Sequence, residues 1–177
     1  MNRQNGVTLV ELLLTIVVLT GLLALGVPGF KQFVKNNRLT AQANDLVLAI
    51  QTARNEAIKR GAGTTVCAAN SSLDACSGDT DWTTGWIVFS DLNRDGVANT
   101  GTGACLDTED CILRKTDGPS KSTVTGSQAD IRYLPDGLTT NGPITLTLEA
   151  DDCHKNQKRN IIVTLQGYTT ISTQPCS

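Results

Sequence analysis

Histidine occurs once in this chain, at position 154, so any Ser-His or Cys-His catalytic pair would have to use it. It stands in a polar stretch beside Cys153, and no C-x-x-C pair exists to complete zinc-site spacing. Nucleophile elbows of the G-x-S-x-G kind and phosphate-cradling glycine loops are missing too. These absences argue against an enzyme, and no cofactor or bound metal is expected. Basic residues are also scarce. Fifteen Lys and Arg face seventeen Asp and Glu, a formal charge of −2, which is a poor balance for gripping a phosphate backbone. Aromatics make up only 4% of the 177 residues, a length that suits one globular domain with an accessory segment.

Charge is almost missing from one stretch. Residues 7–27 read VTLVELLLTIVVLTGLLALGV, with Glu11 the single ionisable side chain. As a helix these residues extend roughly 31 Å at 1.5 Å rise per residue, enough to cross a bilayer core. An ordinary secretory signal has a shorter apolar region that precedes a small-residue cleavage site. Here the small-residue junction, Gly6, comes before the apolar run, so cleavage there would keep the helix on the mature protein. A carboxylate on a lipid-facing helix costs on the order of a few kcal/mol and calls for a partner. The new α-amine of Val7, on a neighbouring copy or relative, could neutralise Glu11 and fix the axial stagger between two helices. Losing residues 1–6 also removes Arg3, leaving a mature charge of −3.

Six cysteines stand at 67, 76, 105, 111, 153 and 176, all beyond the apolar run. An even number confined to one side reads as disulfides formed in an oxidising compartment. Cys67–Cys76 and Cys105–Cys111 would close short loops, and Cys153–Cys176 would staple the last strands, although six cysteines allow 15 pairings. Arg3 precedes the span, whereas Lys31, Lys35 and Arg38 follow it. A count of flanking positive charge therefore favours the opposite orientation; the cysteines count against it, and so does the family resemblance described next.

Gly6-Val7-Thr8-Leu9-Val10-Glu11, the short polar leader with Arg3, and Pro28 together resemble the class III signal of type IV pilins and pseudopilins. The resemblance implies cleavage after Gly6 and N-methylation of Val7 by a prepilin peptidase, with assembly through Glu11. In this chain Val stands where the family's first mature residue is usually Phe. Farther on, Trp82-Thr83-Thr84-Gly85-Trp86-Ile87-Val88-Phe89-Ser90-Asp91, followed by Asn93, Asp95 and Gly96, resembles the GspH/FimT-type subgroup, in particular FimU/FimT-type minor pilins. That implies an α+β, type IV pilin-like fold, with a long helix packed on an antiparallel β domain. It further implies a place in the bacterial inner membrane with the globular part in the periplasm, followed by entry into an extracellular pilus or a periplasmic pseudopilus. The partners implied are other pilins and minor pilins, and the role is to prime or cap a type IV pilus. The alternatives are a type II secretion pseudopilin and a subunit that captures DNA for transformation. DNA-binding members use a basic G-R-x-R motif, and the corresponding stretch here is Gly167-Tyr168-Thr169-Thr170. Lys155, Lys158 and Arg159 form the remaining basic cluster, beside Asp151 and Asp152, and read as a solvated loop. Nucleic acid is therefore an unfavoured partner.

Residues 1–6 are expected to be the leader, 7–27 the membrane and filament-core helix, 28–60 an amphipathic helix and 61–177 the disulfide-bonded β domain. Leu39, Ala43, Leu46, Ile50, Ala53 and Ala57 recur every three or four residues, a one-sided stripe suited to packing on the chain's own sheet. Arg38, Gln42, Asn44, Gln51, Arg54 and Lys59 fall mostly elsewhere on the wheel. Gly61 and Gly63 end the helix. Gly21, Gly26, Pro28 and Gly29 weaken its middle, and a kink is expected at Pro28. Strands are expected at 64–69, 85–90, 111–115, 130–134, 144–149, 160–165 and 168–173, joined by turns at Asp136-Gly137, Asn141-Gly142 and Gln166-Gly167. Asp91, Asn93, Asp95 and Gly96 also begin like a calcium-binding EF-hand loop. Its twelfth position would be Thr102, which cannot supply the bidentate acid, so a plain hairpin turn is expected there.

Overall fold

The computed structural model describes residues 8–99 and 109–176. Two compact units result, one up to Arg38 and one from Leu39 onward. A single helix, α1, runs from Leu9 to Arg60 and is unbroken at Pro28. Thr8 caps its start: its hydroxyl accepts the Glu11 amide at 3.3 Å and its carbonyl the Leu12 amide at 3.1 Å. Gly61, with φ of 62°, takes the left-handed conformation that ends the helix.

The expected stripe is buried to the last residue, and Ala49 joins it. Four small alanines, 43, 49, 53 and 57, let this part of α1 lie close against the strands. The helix edge is polar but engaged. Gln42 Nε2 donates to the Ser120 carbonyl at 3.0 Å, and its Oε1 accepts the Ser122 hydroxyl at 2.9 Å. Arg54, off the apolar stripe, is engaged as well. Its Nε and Nη2 reach the Gly137 and Gln166 carbonyls, both at 3.2 Å, and its guanidinium lies 4.6 Å from the centre of the Tyr168 ring.

Eight strands follow: β1 Thr64–Ala68, β2 Gly85–Ser90, β3 Cys111–Asp117, β4 Ser122–Gly126, β5 Asp130–Tyr133, β6 Ile144–Ala150, β7 Lys158–Val163 and β8 Thr169–Gln174. They form two antiparallel sheets, ordered β3-β2-β1-β5 and β4-β6-β7-β8. In β6 the inward residues Ile144, Leu146, Leu148 and Ala150 alternate with Thr145, Thr147 and Glu149, a period-two pattern. β1 and β2 do not alternate, because both of their faces are covered. Val66, Ala68, Trp86 and Val88 join the α1 core, while Cys67, Ala69, Ile87 and Phe89 form a second cluster with Leu73, Ala98 and Ile112.

Strand β4 is absent from the sequence reading. Its inward positions are Ser122, Val124 and Gly126, so only one carries a large apolar side chain. Trp82, fully buried, ties the sheets together just before β2. Its amide donates to the Val124 carbonyl at 2.8 Å, and its indole Nε1 donates to the Gln128 carbonyl at 3.0 Å.

Cys67 and Cys76 are bonded, as are Cys153 and Cys176, with Cα separations of 5.6 and 5.7 Å. Both match expected pairs. Cys111 is disulfide-bonded as well, while Cys105 lies outside the described residues. Cys153–Cys176 joins the loop before β7 to the segment after β8, across 23 residues of sequence. Loop-closure entropy for that span makes the bond worth about 3 kcal/mol. The double substitution Cys153→Ser, Cys176→Ser is expected to lower unfolding free energy by that amount in urea denaturation.

Candidate functional site

Among the described residues, one helix is long and apolar enough to cross a membrane, and none of its apolar window is buried within the protein. Exposure runs from Leu9, at 74%, to Phe33, at 60%, and every described side chain from residue 9 to 34 is exposed. A surface of this kind is far beyond what a soluble monomer leaves in water. It needs lipid, other helices, or each in turn.

The polar groups along it are few. Thr15 donates its hydroxyl to the Leu12 carbonyl at 2.8 Å, and Thr20 donates to Ile16 and Val17, each at 2.9 Å. Both hydroxyls are therefore satisfied inside the helix. Glu11 differs: it sits in the first turn, exposed, and no hydrogen bond or ion pair reaches its carboxylate among the described residues. Its position near the helix N-terminus is favourable for a negative charge, but only by a fraction of a kcal/mol at an exposed site. Gly6 and Val7, the expected cleavage and methylation positions, lie outside the described residues.

The globular end carries the other sequence-derived candidates. Asp91 closes β2 and is buried, with its Oδ2 accepting the Thr65 hydroxyl at 2.7 Å and the Gly96 amide at 3.0 Å. Asp95 Oδ1 accepts the Val97 amide at 2.7 Å, a bond that holds its carboxyl below the usual carboxylate range, with Asn93 and Asn99 amides adding to the effect. The turn brings in a residue that local spacing did not single out: Asp110, next to the start of β3, accepts the Leu92 and Asn99 amides at 3.0 and 3.1 Å. Asp110 lies fifteen residues beyond Asp95 in the sequence, so no local motif includes it.

Of the basic cluster, Lys155 is exposed, whereas Lys158 and Arg159 open strand β7 instead of lying in a loop, and both are engaged. Lys158 pairs with Glu149 at 3.5 Å, and Arg159 Nη1 donates to the Asn156 and Lys158 carbonyls at 2.8 and 3.1 Å. Gly167, φ 76°, makes the β7–β8 turn, and Tyr168 beyond it stacks under Arg54. His154 is exposed, and its backbone amide donates to Gln157 Oε1 at 3.1 Å. Neither turn gathers a nucleophile and a base.

Comparison with known proteins agrees with this layout. Residues 1–27 match the model of the prokaryotic N-terminal methylation motif, and residues 42–167 match that of the type II transport protein GspH. No curated protein matches the chain. Two crystal forms of the type IV minor pilin FimU of Pseudomonas aeruginosa (strain PAO1) share the fold. The P21 form is 18% identical with a TM-score of 0.60, covering 82% of this chain and 97% of FimU. The P65 form is 16% identical with a TM-score of 0.55, covering 78% and 97%. The apolar helix and the methylation motif anchor the chain in the inner membrane, with the β domain on the periplasmic side. With most of its globular part matched by the GspH model behind an N-terminal methylation motif, the chain belongs to the GspH family and has a type IV pilin-like fold.

Proposed function

We propose that this protein is a minor pilin that primes or caps a type IV pilus, held in the fibre by its N-terminal helix. The observation that carries the reading is Glu11: among the described residues, an exposed carboxylate without a partner on a rod whose described side chains from 9 to 34 are all exposed and mostly apolar. In a bundle of such rods, the N-methylated amine of an adjacent subunit's first residue is the natural counter-charge. Before assembly the helix rests in the inner membrane, where a prepilin peptidase removes residues 1–6 and methylates Val7. Pro28 lies just past the membrane-crossing stretch, at its periplasmic end, where bending of the otherwise continuous α1 would ease its passage into the fibre.

The family description favours a second reading, a type II secretion pseudopilin, in which the same helix enters a shorter periplasmic filament. Deleting the gene separates them: loss of surface pili with intact secretion supports the first, and the reverse supports the second.

N-terminal sequencing of protein extracted from membranes, with mass spectrometry, tests the processing on which both readings depend. The expected product starts at Val7 and carries one added methyl group. Intact Met1 in cells with an active prepilin peptidase would overturn both.

A further inference from the structure

The turn after β2 holds more negative charge than it neutralises. One carboxylate oxygen from each of Asp91, Asp95 and Asp110 lies within 4.8 Å of the other two. Asp91 is 1% exposed, and only its Oδ2 is taken by the Thr65 hydroxyl and the Gly96 amide. Its Oδ1 is buried with no hydrogen-bond partner among the described residues. A buried carboxylate oxygen left unpaired is costly, and such groups normally meet a cation. Arg132 supplies part of the compensation. Its guanidinium packs against Gly96, where a side chain would collide with it, and its pKa is raised chiefly by the hydrogen bond to Asp130, with the charges of Asp91 and Asp95 adding less. Yet its Nε and Nη2 are spent on Asp130 Oδ2, at 3.1 and 2.8 Å.

We propose that Asp91, Asp95 and Asp110 bind one calcium ion, with Asn93 as a neutral oxygen donor. Acids at 91 and 95, Asn at 93 and a glycine at 96 with φ of 78° reproduce the first half of a calcium loop, including its sharp turn at the sixth position. Asp110, arriving from the β3 side, provides the acid that Thr102 cannot. All donors are oxygens, which selects a hard cation over zinc or copper. Oxygens up to 4.8 Å apart close onto an ion with 2.3–2.6 Å bonds by moving only a few tenths of an ångström. Magnesium demands shorter bonds and stricter geometry than a loop of this kind imposes. The ion would join the end of β2 to the start of β3 and give Asp91 Oδ1 its partner.

The test uses the full mature chain in detergent, stripped with a chelator and titrated calorimetrically with calcium chloride, then with magnesium chloride. One calcium per chain is expected, with affinity in the roughly 10⁻⁴–10⁻³ M range of extracellular modules, and magnesium at least tenfold weaker. At calcium tenfold above its Kd, Tm is expected to rise by about 4 °C. Asp95→Asn, at an exposed position, and Asn93→Ala should each weaken calcium binding about tenfold or more with unchanged circular dichroism. Asp136→Asn, in the turn after β5, should bind as the parent does. No binding up to about 10 mM calcium, or parental affinity in both Asp95→Asn and Asn93→Ala, overturns the proposal.

Discussion

Glu11→Ala is expected to leave the subunit in the membrane at its normal level and to cut its share of the sheared filament fraction at least tenfold. Removing a charge from an exposed apolar helix makes insertion easier, since a carboxylate there costs on the order of 3 kcal/mol. Assembly loses on both sides of the pair. The variant has no acid to offer, and the neighbour's amine is left without a counter-charge in an apolar bundle, a situation more damaging than the absence of both charges. Because tenfold corresponds to about 1.4 kcal/mol, even a partly solvated pair exceeds the threshold. Glu11→Asp keeps the charge but shortens its reach by one methylene, and should fall between parent and alanine. Immunoblots of membrane and sheared fractions measure both quantities. Undiminished incorporation of Glu11→Ala would show that apolar packing alone positions the helix.

Trp82→Ala is expected to cost about 4 kcal/mol of folding free energy, the largest loss from any single truncation in the β domain. The indole is fully buried just before β2 of one sheet; the Trp82 amide donates to Val124 in β4 of the other, and its Nε1 donates to Gln128 in the link from β4 back to β5. Truncation empties a large volume and strands the Gln128 carbonyl. Thermal denaturation should show Tm falling by roughly 10 °C, given 2–4 °C per kcal/mol for a chain of this size. Tyr168→Ala serves as the contrast. That ring is exposed and meets Arg54 by a cation–π contact worth at most about 1 kcal/mol, so its Tm should move by only a few degrees. Similar losses for the two variants would refute the bridging role assigned to Trp82.

Much of this architecture is legible in the sequence because its signals are periodic. The helix stripe from Leu39 to Ala57 and the alternation of Ile144, Leu146 and Leu148 each place their apolar side chains at the spacing of their own element. Turns were marked by residues that the backbone needs, such as Gly137 and Gly167, both at positive φ. Where the pattern failed, a local signal was lacking. β4 presents Ser122 and Gly126 inward, so its alternation is invisible to a search for apolar residues. Arg54 lies off the apolar stripe, and the wheel says nothing of what it meets: its long side chain spans to two turn carbonyls and an aromatic ring. Asp110 escaped for a different reason: it meets Asp91 and Asp95 only after the chain has left β2 and returned at β3. The N-terminal reading rests on Gly6, Val7 and Glu11, whose roles depend on neighbours that one chain does not contain.

The hydroxyls of Thr15 and Thr20 have a consequence for how such a subunit changes surroundings. Each is already spoken for by its own backbone, so moving from a lipid phase into a protein bundle neither breaks nor creates a bond for either. Along this rod, the choice between the two media is left to apolar contact and a single acid. On the role proposed for Glu11, a suitably placed amine would switch such a step on.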